Sequence, residues 1–212
     1  MATYTERDFY GSAIKGLVPQ GWLDASGLRD IPDHQEVHLS PTTLTTQIFE
    51  INQYVTPSET TTLPPLLLPT GATPDERAAL YHLYDLCDEN DTVEIITAPT
   101  KVTMEKFPAL TPAYRGVVAV TSPKNESREA GVGGAVAGSS AEGLLTRKVS
   151  LHYLLVRLEE KETDLVVFVN VPHEEFEKRG DLGALEGEEE LARGLIGGLV
   201  EGLEVRDWGL FA

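Results

Sequence analysis

Leu165-Val166-Val167-Phe168-Val169 places five apolar residues in a row without a polar break. A strand with one wet face alternates apolar and polar residues, so an unbroken β-branched and aromatic run needs cover on both sides. The run predicts a central strand over 165–171, and residues 149–158 pair with it as a hairpin across Glu159 to Asp164. Two segments carry the helical cover. Pro74-Asp75-Glu76 sets a proline and two acids at a helix start, followed by an apolar face of Leu80, Leu83, Tyr84 and Cys87. The last helix runs over about 186–203, with Leu191, Leu195, Leu199 and Leu203 spaced by four. Gly194, Gly198 and Gly202 recur at the same spacing. Acids nearby exclude a membrane helix pair, so the glycine row reads as close packing against a sheet.

Residues 13–18, 35–39, 45–55, 93–98 and 116–121 read as further strands. No regular β-α-β alternation links them, which excludes a parallel doubly wound fold. The expected fold class is α+β: a central, mostly antiparallel sheet covered by helices, with residues 1–212 as a single domain. Two long loops interrupt it. Residues 56–74 carry five prolines and a threonine cluster, incompatible with a helix or a central strand. Leu66 to Leu68 are candidates to pin that loop onto the core, and an interaction segment is its alternative reading. Residues 122–146 have the glycine- and serine-rich composition of a linker. A phosphate cradle there lacks the Gly-Lys-Ser/Thr ending that its chemistry requires.

The formal net charge is −17, from 34 Asp and Glu against 17 Lys and Arg. Such a surface repels phosphate backbones, which argues against direct nucleic-acid binding and suits a basic partner. The single cysteine, Cys87, excludes an internal disulfide and reads as a buried, inert thiol. The five histidines, His34, His38, His82, His152 and His173, show no metal spacing, and His38 and His152 read as surface positions on strands. The first twelve residues lack the basic and apolar regions of a signal peptide, and no apolar run is long enough to span a bilayer. The expectation is a soluble chain of the cytoplasm or nucleus.

One segment holds the candidate site. Asp24 and Ser26 are good N-cap types for a short helical turn. Pro32 biases Ile31 towards extended backbone, and Asp33 and Glu36 follow at the junction of that turn with a strand. Exposed acids there serve either a partner or solvation of a strand edge. Asp24, Asp33 and Glu36 could act as general acid and base only with a raised carboxyl pKa in a pocket, for which the sequence shows no sign.

The stretches YGSAIKGLVPQGWLDAS, LRDIPDHQEV and the final GLFA resemble the Ran guanine nucleotide release factor family. The resemblance implies an α/β/α sandwich similar to the extrinsic photosystem II protein P. It implies the GTPase Ran as partner, promotion of guanine nucleotide release in support of nuclear protein import, and residence in nucleus and cytoplasm. It implies no covalent chemistry, no catalytic residue, no metal and no cofactor. Other nuclear transport factors are candidate further partners. Asp33 and Glu36 match the acids of the family's contact motif and are expected to be exposed. Gln35, Asp24, Arg29 and Lys15 share the matched segments as candidate contacts. The alternative is a non-catalytic interaction or trafficking adaptor using the same acidic surface.

Overall fold

The computed structural model describes residues 3–25, 30–68, 70–123 and 146–211. Ten strands and three α-helices lie within them: β1 Tyr4–Phe9, β2 Ile14–Pro19, β3 Leu23–Asp24, β4 Gln35–Leu39, β5 Thr46–Gln53, α1 Pro74–Asp85, β6 Thr92–Val102, β7 Ala113–Pro123, β8 Thr146–Leu158, β9 Thr163–Pro172, α2 Glu174–Arg179, α3 Leu182–Gly202 and β10 Glu204–Val205. Seven strands form one antiparallel sheet in the order β3-β4-β5-β9-β8-β7-β6, and β1, β2 and β10 form a second, three-stranded sheet.

The apolar run takes its expected place. β9 lies between β5 and β8, and every residue from Leu165 to Val169 is at most 1% exposed. Its alternate side chains feed two cores. Leu165, Val167 and Val169 meet Leu195 and Leu199 of α3 together with Phe9, Ile14 and Val18 of the small sheet. Val166 and Phe168 meet Ala79, Leu80 and Leu83 of α1.

Local chemistry accounts for the helices. Thr73 and Glu76 form a reciprocal capping box at the start of α1, with Pro74 at the first helical position. Tyr84, expected on the apolar face, is 40% exposed, and Ala78 and Ala79 bury instead. Cys87 follows the helix half-buried against the α1-side core, and burial, ahead of Asp91 and Asp88, pushes its thiol up to about 11. Asp181 caps α3 by accepting from the Ala184 amide. The glycine row of α3 packs against the small sheet rather than the large one. A methyl group on Gly198 would stand 2.8 Å from Leu17, and one on Gly194 would stand 2.6 Å from the Tyr4 hydroxyl.

Several expectations change. Asp24 ends the short strand β3, paired with His38. The proline-rich stretch contains two 3₁₀ turns, Glu59–Thr62 and Pro65–Leu67, and it is anchored through Leu63 and Leu67, 3% and 7% exposed. β7 and β8 extend into the expected 122–146 loop through Pro123 and from Thr146, and the rest of that stretch lies outside the described residues. His38 and His152 are buried rather than surface residues, at 7% and 2% exposure. No helix among the described residues is long and apolar enough to cross a membrane.

Candidate partner-binding surface

The β4–β5 register decides which way each candidate points. Glu36 stands opposite Phe49 and His38 opposite Gln47, whereas Gln35 pairs with Glu50 and Val37 with Ile48. Phe49 belongs to the core beneath α3, and Ile48 packs on the core beneath α1. Glu36 and His38 therefore share the face that carries the small sheet, and Gln35 turns to the other, where its amide donates to Glu50 at 3.0 Å. Asp33 is exposed in the turn before β4 and forms no hydrogen bond or ion pair among the described residues.

Glu36 is half-buried rather than exposed. Its carboxylate accepts from the backbone amide of Tyr10. Burial raises its pKa first, the Tyr10 amide opposes that, and Asp24 raises it further. Asp24 also pulls on His38, but burial outweighs it and holds the imidazole below its usual range. Asp24, Glu36 and His38 thus form one electrostatic group at the margin between the two sheets. Lys15 stands apart on the small sheet, paired with Glu6 at 2.5 Å. Arg29 lies outside the described residues.

Tyr10 is the residue that the sequence reading missed, although it lies in the YGSAIKG match. The turn from β1 to β2 places Tyr10, Gly11 and Ser12 consecutively at positive φ, +49°, +63° and +77°. For non-glycine residues this region costs about 1–3 kcal/mol each and persists only where surrounding contacts enforce it. Those contacts are present: besides the amide bond to Glu36, the Tyr10 hydroxyl donates to the carbonyls of His34 and Phe49, each at 3.0 Å. On its other side the turn's Ala13 carbonyl accepts from the Arg206 and Asp207 amides at 2.8 and 3.1 Å. The turn, part of the first matched segment, here meets the start of β4 in the second and the chain just before the third.

Two polar groups elsewhere are matched from within the fold. Buried Arg157 donates to Asp164 at 3.1 Å, to Asp75 at 2.6 Å and to the Val55 carbonyl, and stacks 3.9 Å over the Tyr54 ring. Asp164 also accepts from Val55 and contacts His82 at 2.8 Å. On the opposite face Glu189 of α3 receives His152 at 2.5 Å and His173 at 3.2 Å, and Ser150 lies 2.8 Å from His173. Burial works against the Glu189 charge, but these hydrogen bonds prevail and hold its carboxyl well below the usual range. Neither group forms a cation cage: no metal-holding cluster of His, Cys, Asp and Glu occurs among the described residues.

Residues 7–172 match the family model described as Ran-interacting Mog1 protein. The Ran guanine nucleotide release factor of Bos taurus is 27% identical over 183 residues, covering 84% of this chain and 80% of its own length. The nuclear import protein MOG1 of Saccharomyces cerevisiae is 28% identical over 169 residues, covering 79% of this chain and 66% of its own length. A crystal structure of the Saccharomyces cerevisiae Ran-binding protein Mog1p superposes with a TM-score of 0.61 at 22% identity, covering 100% of both chains. That likeness concerns the fold.

Proposed function

The chain belongs to the Ran-interacting Mog1 family, and from that premise we propose that it binds Ran and promotes release of its guanine nucleotide. On this reading it supports nuclear protein import, works in nucleus and cytoplasm, and carries out no covalent chemistry. The observation that carries the proposal is the contrast at the β4 entrance: Asp33 is exposed, with no partner among the described residues, beside Glu36, whose charge is disfavoured by burial. A carboxylate disfavoured in the free protein gains more from an arriving cation than an ordinary one. GTPases hold nucleotide phosphates through a P-loop lysine and Mg²⁺, both positive. A carboxylate brought to that pocket competes with phosphate for those charges. By linkage, a partner that prefers empty Ran weakens nucleotide binding by the same factor.

In this proposal Asp33 and Glu36 are the central contacts and Asp24 shapes the local field. Lys15 and Gln35 reach a partner only at the margins of the surface, and Arg29 belongs to the same matched segment. The test is release of fluorescently labelled GDP and GTP from Ran with and without the protein. Faster release at sub-stoichiometric protein is expected. An unchanged rate at saturating protein would overturn the release function, and absence of Ran from a direct binding assay would favour the adaptor reading.

A further inference from the structure

The strained Tyr10 turn joins the acidic loop to a second feature of the same end. From Ala13 the amide bonds of Arg206 and Asp207 lead directly to Trp208. The Trp208 ring stands edge-on to Phe107 with centroids 6.1 Å apart, and Trp208 also lines a 460 Å³ groove. Pro108, Leu110 and Pro112 from the β6–β7 connection form another wall, with Leu158 beside them. Leu110 is 93% exposed, the most exposed of the large apolar side chains among the described residues. An isolated exposed leucine is ordinary. This one stands on the rim of an open, mostly apolar concavity of the size that accommodates a side chain or a small ligand.

Charge defines what fits. Glu159 and Glu160 stand exposed on the rim with Lys161 beside them, two carboxylates to one ammonium. Neither carboxylate is engaged in an ion pair among the described residues. Arg157 beneath contributes no unmatched positive charge, because Asp75 and Asp164 already hold it. An apolar slot with an acidic rim complements an apolar side chain carried next to a basic residue. That partner chemistry is also the one the Asp33 loop demands.

We propose that the Trp208 groove is a second contact for the same GTPase partner, taking an apolar side chain flanked by Lys or Arg while Asp33 and Glu36 engage a separate basic patch. This rests on the reading that the partner is Ran. It adds a hydrophobic anchor to an otherwise electrostatic surface, as tight interfaces require.

The experiment is calorimetric and stopped-flow binding of purified Ran to the full chain and three variants. These are Leu110→Asp, Glu159→Lys/Glu160→Lys and, as reference, Asp33→Ala. Leu110→Asp is expected to lower affinity at least about tenfold with an unchanged thermal midpoint, since the side chain lies outside both cores. Glu159→Lys/Glu160→Lys is expected to slow association and flatten its salt dependence. The effects of Leu110→Asp and Asp33→Ala should multiply, as independent contacts do. Wild-type affinity for Leu110→Asp alongside a weakened Asp33→Ala overturns the groove and leaves the proposed function standing. A wild-type dimer that Leu110→Asp dissociates, with Ran affinity intact, assigns the groove to a second copy of this chain and also overturns it. Failure of the wild type to bind Ran overturns the function itself, and the groove assignment falls with it.

Discussion

Two acidic regions of this protein use the same residue types in opposite ways. Around Arg157 each carboxylate is matched from inside the fold: Asp164 meets Arg157, His82 and the Val55 amide, and Asp75 meets Arg157 and the Tyr114 hydroxyl. At the β4 entrance Asp33 has no hydrogen-bond or ion-pair partner among the described residues, and Glu36 is held by one backbone amide while burial and Asp24 work against its charge. A charge satisfied within the protein contributes to stability and offers little to a partner. A charge disfavoured by burial, as in Glu36, costs stability, a solvated one, as in Asp33, costs little, and either is available for recognition. The comparison separates acids matched within the fold from those proposed as partner contacts.

The largest effect expected from that comparison is in the buried network. Asp164→Ala removes one of the two carboxylates on a guanidinium that is 1% exposed at its side chain and takes the acceptor from the Val55 amide, so unfolding stability should fall by about 3–5 kcal/mol. Urea denaturation measures it, and a loss below about 1 kcal/mol would mean that water replaces the carboxylate and the network is not structural.

Glu189→Gln comes next. It keeps the shape but removes the charge that binds His152 and His173, at a cost of about 1–3 kcal/mol near neutral pH. The sign follows from a depressed folded pKa: the stabilisation is complete above the ordinary glutamate range and is lost as pH falls towards the folded value. Wild type and variant should therefore converge on acidification. Parallel stability curves across the acid range would refute the carboxylate's role.

Asp33 and Glu36 should then part company. Glu36→Ala removes the acceptor that holds the Tyr10 amide in a strained turn and should cost about 1–2 kcal/mol of stability, whereas Asp33→Ala should leave the denaturation midpoint unchanged. Both should weaken Ran binding, together by at least about tenfold, or ~1.4 kcal/mol. Asp85→Ala/Glu89→Ala, exposed acids at the far end of α1, are the control for net charge. Equal weakening in the control would reduce the surface to general steering.

The smallest effect is one of pH. Because its pKa is raised, Glu36 takes up a proton at higher pH than an ordinary glutamate, and its own contribution to stability improves as it does so. Its contribution to binding a cation runs the other way. Affinity for Ran should start to fall on acidification before ordinary carboxylates titrate, and Glu36→Gln should bind more weakly with a flatter profile. Identical profiles would remove Glu36 from the contact.

Much of the architecture was legible in the chain. The unbroken 165–169 run predicts a strand buried on both faces, and Pro74 with Asp75 and Glu76 marks the start of α1. β1 was not legible, because YTERDF carries no clear alternation and is held by pairing with β2 across residues 4–19. Of the candidate site, the matched acids were visible, but the faces they occupy were not. A single-residue register difference sends Gln35 and Glu36 to opposite sides of the sheet.

By itself the sequence determined where water could not go, since apolar period and turn chemistry are local properties that act before any distant contact forms. It also set the acidic excess that calls for a basic partner. Only the tertiary structure decided which polar groups are matched, because contacts such as the Asp75–Arg157 ion pair and the His82–Asp164 hydrogen bond join residues 82 positions apart. It alone brought the Tyr10 turn, the Asp33 loop and the Trp208 terminus together at one end of a sheet. Electrostatic matching depends on distance in space and on local burial, and neither is set by spacing along the chain.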